Sequence, residues 1–141
     1  MNIKPVVVLI VIIFIAAMAA TAQDTSSSLD APMVLSDTQG YDFSSYMREL
    51  TNRVRYNWYA LIPGVAVRGE KGRVIVVFTI FRNGTVQNLH VVASSKVEVL
   101  DRAATAAIKA SDPFAALPAD FKGEHIDLQL SFLYNIKSEN Q

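Results

Sequence analysis

The side chains that could do chemistry in this chain are few: His90 and His125, the carboxylates Asp101 and Asp127, and the adjacent hydroxyls Ser94 and Ser95. A general base needs a nucleophile or substrate proton within hydrogen-bond reach, and a metal site needs ligands at short, matched intervals. Neither pattern occurs here. His90 falls inside one strand pattern and His125 opens another, so both read as strand residues, with His125 a surface group that could tune a contact by protonation. Asp101 and Arg102 stand near the start of a helix, where an acid suits the helix dipole and the two suit a surface ion pair. Gly64, Gly69, Gly72, Gly84 and Gly123 never assemble into a phosphate-cradling loop. The absence of cysteine removes disulfides, thiolate ligands and thiol nucleophiles together. The chain therefore reads as non-enzymatic, with no catalytic residue, metal or cofactor assigned.

Backbone chemistry remains, because an uncovered sheet edge is a row of donors and acceptors that can take another chain's strand. The elements that would position such an edge run from residue 72 to residue 135. Residues 73–81 are β-branched and aromatic, Asn83-Gly84 fits the two positive-φ positions of a type I′ turn, and residues 85–93 return. On the first strand Val74, Val76, Phe78 and Ile80 share one face and Ile75, Val77, Thr79 and Phe81 the other. Both faces are largely apolar, as in a central strand. The return strand breaks alternation, which predicts a bulge near Gln87-Asn88.

A helix is expected over 97–111, with Leu100, Ala103, Ala104, Ala107 and Ile108 on one face. Asp112-Pro113 ends it, and an irregular stretch leads to Gly123. In the last strand Ile126, Leu128, Leu130, Phe132 and Tyr134 alternate with Asp127, Gln129, Ser131 and Leu133, the pattern of a strand buried on one face. Upstream, Ser44 or Ser45 caps a helix over 46–59 that turns Tyr46, Met47, Leu50, Val54, Trp58 and Leu61 to one side. Arg48, Arg53 and Arg55 take its other faces, and Ile62-Pro63-Gly64 stops it.

A right-handed crossover through the second helix places the last strand beyond the first, giving sheet order 2-1-3. The expected fold is α+β: a three-stranded, antiparallel-containing sheet packed with two helices. The last strand is then an edge, and Ile126 to Tyr134 become the candidate partner-binding residues. Val34 and Leu35 could lie against it.

Composition bounds the partners. Thirteen basic and thirteen acidic residues cancel, and no basic cluster tracks a phosphate backbone, so nucleic acid is excluded. The hydrophobic share of 51% is inflated by fifteen apolar residues at 6–20. Behind Lys4, and ahead of Ala20-Thr21-Ala22, this run reads as a cleaved export signal over 1–22, the alternative being a retained single-pass anchor. Residues 23–43 read as a flexible linker, 44–136 as the folded domain and 137–141 as a tail.

The ordered series Gly72-Arg73-Val74-Ile75-Val76-Val77-Phe78-Thr79-Ile80, Asn83-Gly84-Thr85-Val86, Ser94-Ser95, Leu100-Asp101-Arg102-Ala103-Ala104, Pro113-Phe114, Leu117-Pro118 and Phe121-Lys122-Gly123 resembles the TonB C-terminal domain family. Asn57-Trp58-Tyr59 and Ile62-Pro63 fit it too, especially its TolA-like branch. The resemblance spans residues 46–135 and implies a periplasmic coupling module that docks an outer-membrane receptor or a Tol-system partner. By position, the last strand corresponds to the edge that receives the partner's extended segment. The chain departs from the full-length pattern in lacking a long proline-rich spacer, and its front end looks cleavable. Engagement of inner-membrane motor proteins requires that front segment to be retained. A self-associating envelope domain, pairing as a homodimer through Ile75, Val77 and Phe81 or through two last strands, is the other alternative.

Overall fold

In a computed structural model of the chain, residues 27–137 are described; the segment read as an export signal, its expected cleavage site and nearly all of the expected tail fall outside them. The elements follow in the order β1 (Ser28–Leu29), β2 (Met33–Val34), α1 (Ser44–Leu61), α2 (Gly64–Val67), β3 (Gly72–Phe81), β4 (Val86–Ala93), α3 (Glu98–Ser111) and β5 (His125–Tyr134). No described helix is long and apolar enough to cross a membrane.

One sheet forms, in the order β1-β5-β3-β4, with β2 also pairing β5. This corrects the expectation of three strands in order 2-1-3 ending at an open last strand. The strands read from the sequence do neighbour one another as β4-β3-β5, but the sheet has five strands and β5 has a partner on each side. The added strands come from the segment read as a flexible linker, whose residues 28–36 lie along β5. Each is only two residues long and Pro32 separates them, so the segment carries no periodicity to announce them.

The long elements form where their apolar spacing demands. Val74, Val76, Phe78 and Ile80 on β3 and Ile126, Leu128, Leu130 and Phe132 on β5 are fully buried beneath the helices. α1 buries Tyr46, Met47, Leu50, Val54 and Trp58, and α3 buries Leu100, Ala103, Ala104, Ala107 and Ile108. The alanines let α3 approach the sheet and α1 closely. Leu61, expected on the buried face, is exposed because α1 ends there, and the expected loop after Pro63 opens with the single turn α2.

Tyr134 ties the layers together. Its hydroxyl accepts a hydrogen bond from Trp58 Nε1 at 2.8 Å and donates one to the Leu100 carbonyl at 2.9 Å. Burial pushes this phenol up to about 12, so it stays protonated and able to donate. Trp58 meets Phe132 and Tyr134 edge to face, at 5.2 and 5.0 Å between ring centroids.

The β3–β4 turn also differs from expectation. Gly84 N–H donates to Phe81 O, Phe81 N–H donates to Thr85 O, and of the two central residues only Gly84 has positive φ, at 88°. The loop therefore spans three residues, Arg82 to Gly84, a type I turn closed by a left-handed glycine rather than type I′. The 113–123 stretch dictates this: Phe114 N–H donates to Gly84 O, and a Cβ at position 84 would sit 2.0 Å from the Phe114 carbonyl.

Candidate functional site

β5 presents two sets of backbone groups, because in an antiparallel ladder alternate residues point to opposite neighbours. One set meets β3 in an unbroken register from Gly72↔Tyr134 to Phe81↔His125. The other set, on Asp127, Gln129, Ser131 and Leu133, faces the arm formed by residues 27–36. Leu35 N–H donates to Asp127 O at 2.8 Å, Asp30 N–H donates to Ser131 O at 3.0 Å, and Asp127 N–H donates to Ser36 Oγ at 3.0 Å. The residues assigned from the sequence to partner binding are thus brought together on one strand, but its outward edge is covered by the chain's own arm. The open edge of the sheet is β4.

The arm's hold is discontinuous. Its register runs Ser28↔Leu133 and Leu29↔Phe132, then resumes at Met33↔Gln129 and Val34↔Leu128. Four steps of arm pass three steps of β5, and the slip falls across Asp30, Ala31 and Pro32. Leu29 and Val34 turn toward the core and are half-buried against it, while Met33 faces away and is 54% exposed. Ser27 Oγ is buried with no hydrogen-bond partner, at the mouth of a cleft lined by Tyr59, Ile62 and Val67. Sequence reasoning placed Val34 and Leu35 near this edge and missed Ser28 and Leu29. The only local signal was two short aliphatic groups flanking a proline.

β4, the edge left open, is poorly shaped for strand addition. Between Val77↔His90 and Thr79↔Gln87, two steps of β3 face three of β4, with Asn88 at φ 56°; this is the bulge expected near Gln87-Asn88. A second irregularity separates Ile75↔Ala93 from Val76↔Val91. Bulges bend an edge and interrupt its row of donors, which discourages pairing with another strand. His90 sits on this edge, its Nδ1 against the Asn88 carbonyl at 2.8 Å.

The remaining candidates serve structure. The Asp101 carboxylate accepts from Ser94 Oγ at 2.5 Å, from Ser95 Oγ at 2.6 Å and from Ser95 N–H at 2.9 Å, pinning the loop between β4 and α3. Burial pushes this carboxyl up, but the two serines and nearby Lys96 more than offset it, so it lies below its ordinary value. Arg102 pairs not with Asp101 but with Glu98, one turn earlier on an exposed face. His125 Nε2 lies 3.8 Å from Asp127 Oδ2, whose partner oxygen accepts from Thr79 Oγ1 at 2.6 Å. Among the described residues no group of three or more His, Asp or Glu side chains could hold a metal ion.

On the face of the sheet away from the helices, Ile75, Val77 and Phe81 are half-buried, while Leu133 is fully buried although it belongs to that face. The last strand is therefore not buried on one face alone.

Comparison with known proteins gives two matches. The model of the family described as the Gram-negative bacterial TonB protein C-terminal matches residues 65–136. Among solved structures, the NMR solution structure of the Helicobacter pylori TonB C-terminal domain is 28% identical, covering 74% of this chain and 95% of that one, at a TM-score of 0.48. No curated protein matches.

Proposed function

The chain belongs to the TonB C-terminal family, and on that footing we propose that it is a periplasmic protein-binding module that docks an extended segment of an outer-membrane receptor, or of a Tol-type partner, by strand addition. Residues Ile126 to Tyr134 form the docking strand, in a system of energy-coupled transport across the outer membrane. The observation that carries this reading is the outward row of Asp127, Gln129 and Ser131, which is built to hold an antiparallel strand and holds one already in the arm. Main-chain hydrogen bonds supply affinity in such docking, and alternate side chains supply specificity.

Export by the segment at 1–22 delivers the domain to the periplasm. If that segment is retained instead, the same domain becomes an inner-membrane transducer that engages motor proteins, and N-terminal sequencing of the native protein separates the two. Self-association would show as a concentration-dependent mass.

The direct test places a photo-crosslinking side chain at Gln129 or Ser131, both half-exposed, in the living envelope. Cross-links to an extended segment of an outer-membrane or Tol-system protein are expected, and those from Ser131 should vanish in a Gln129→Pro chain that still folds, because proline removes an N–H from the docking row. Cross-links that persist in the proline variant, or that join only distant surfaces, would refute docking on β5.

A further inference from the structure

Resting on the strand-addition reading, we infer that the arm is a built-in stand-in for the ligand, and that its side-chain pattern defines the class of peptide the β5 edge accepts. That class is an extended segment running antiparallel to β5, with aliphatic residues at i and i+5 and a proline break at i+3, matching Leu29, Val34 and Pro32.

Three observations converge on this. Leu29 and Val34 are the arm residues paired with Phe132 and Leu128 that pack toward the core, so the edge offers two separate aliphatic seats rather than a continuous groove. The register slip is what the arm's spacing requires: Phe132 and Leu128 lie four steps apart on β5, so an unbroken strand reaches both seats with residues i and i+4, whereas Leu29 and Val34, five apart, reach both only because the slip takes up one residue. The bonds to the Asp127 and Ser131 carbonyls are main-chain ones that any extended peptide reproduces, and Ser36 Oγ adds one side-chain acceptor for Asp127 N–H.

The arm is also poorly fastened. It has two pairing steps on either side of the slip, half-buried anchors and a buried Ser27 hydroxyl without a partner. Segments with few buried contacts open at much lower free energy than the core. A peptide of the same pattern can therefore take the arm's place, and its apparent affinity is reduced by the fraction of time the arm is seated.

The chain has no cysteine, which permits a direct test on the full-length protein. Met33 and Gln129 are register partners on the outer face, and directly paired residues of antiparallel strands lie within disulfide reach, so Met33→Cys with Gln129→Cys locks the arm when oxidised and frees it when reduced. The probe is a fluorescent synthetic peptide of residues 27–36, followed by anisotropy. The reduced chain should take up the peptide, and the oxidised chain should bind it at least about tenfold more weakly. A Leu29→Asp/Val34→Asp chain should bind it more tightly than the unmodified protein, and a peptide carrying the same two changes should not bind.

Equal binding to oxidised and reduced chains would overturn the inference, because the peptide would be using another surface. So would an absence of binding to both the reduced and the arm-released chains. Photo-cross-links from Gln129 to a receptor segment in that second case would leave receptor docking standing and remove only the arm as its template; absence of those cross-links is the separate failure of docking itself.

Discussion

β5 is paired on both sides, and the two sides are built differently. Toward β3 it runs in unbroken register over all ten of its residues, with five fully buried side chains on its helix-facing side. Toward the arm it meets two strands of two residues each, out of step with one another across Pro32. The hydrogen-bonding groups are chemically identical on the two sides. What differs is the number of consecutive pairs and how much apolar surface each pair brings, so one backbone can be permanent structure along one edge and an exchangeable contact along the other.

The contrast breaks hardest on the permanent side. Leu130→Ala empties a fully buried site between sheet and helices and should cost about 2–5 kcal/mol, read as a lower urea midpoint with unchanged slope. Tyr134→Phe keeps the ring but strands Trp58 Nε1 and removes the second bond to the Leu100 carbonyl, which keeps its place in the α3 ladder, for a loss of about 1–3 kcal/mol in the same assay. A loss near zero would mean that water reaches one of those groups.

On the arm side, Leu29→Ala with Val34→Ala should lower global stability by no more than about 1.5 kcal/mol, since both side chains are only half-buried. The sharper readout is hydrogen exchange. Amides of Ile126, Leu128 and Leu130 should exchange only with global unfolding, while those of Asp127, Gln129 and Ser131 exchange by opening of the arm and accelerate in the double variant. Equal protection of the two sets would make the arm part of the core unit.

The smallest effect concerns the loop before α3. Asp101 titrates at 3.8 when unfolded and lower when folded, so its contribution is present above that pH and lost as pH falls through the folded value. Asp101→Asn should lower the unfolding midpoint at pH 6 by an amount worth about 1 kcal/mol or less, given its contact with solvent, and the gap should narrow as pH falls below 3.8. A gap unchanged at low pH would assign the effect to shape rather than charge.

The two sides of β5 were also unequally readable from sequence. The β3, β5, α1 and α3 segments carry apolar residues at periods of two or of three and four over ten or more positions, and burial follows that spacing. The arm has two-residue strands in a serine-rich stretch broken by proline, and its pairing spans about a hundred positions, so nothing local encodes it. The Asn83-Gly84 turn failed for a related reason. Its conformation is fixed by Phe114, thirty residues downstream, and not by the two residues that form it. The residues assigned to docking fall together on β5, because alternation reveals which face of a strand is buried; whether an edge is free is a tertiary fact.

The arm's pairing also sets a leash length. Six residues, 21–26, lie in the sequence between the apolar run at 6–20 and Ser27, about 21 Å of chain at full extension. Peeling residues 27–36 away from β5 lets out ten more residues, about 35 Å. In a chain whose apolar segment stays in the membrane, exchange of the arm for a partner's strand would therefore capture the partner and extend the domain's reach in the same step.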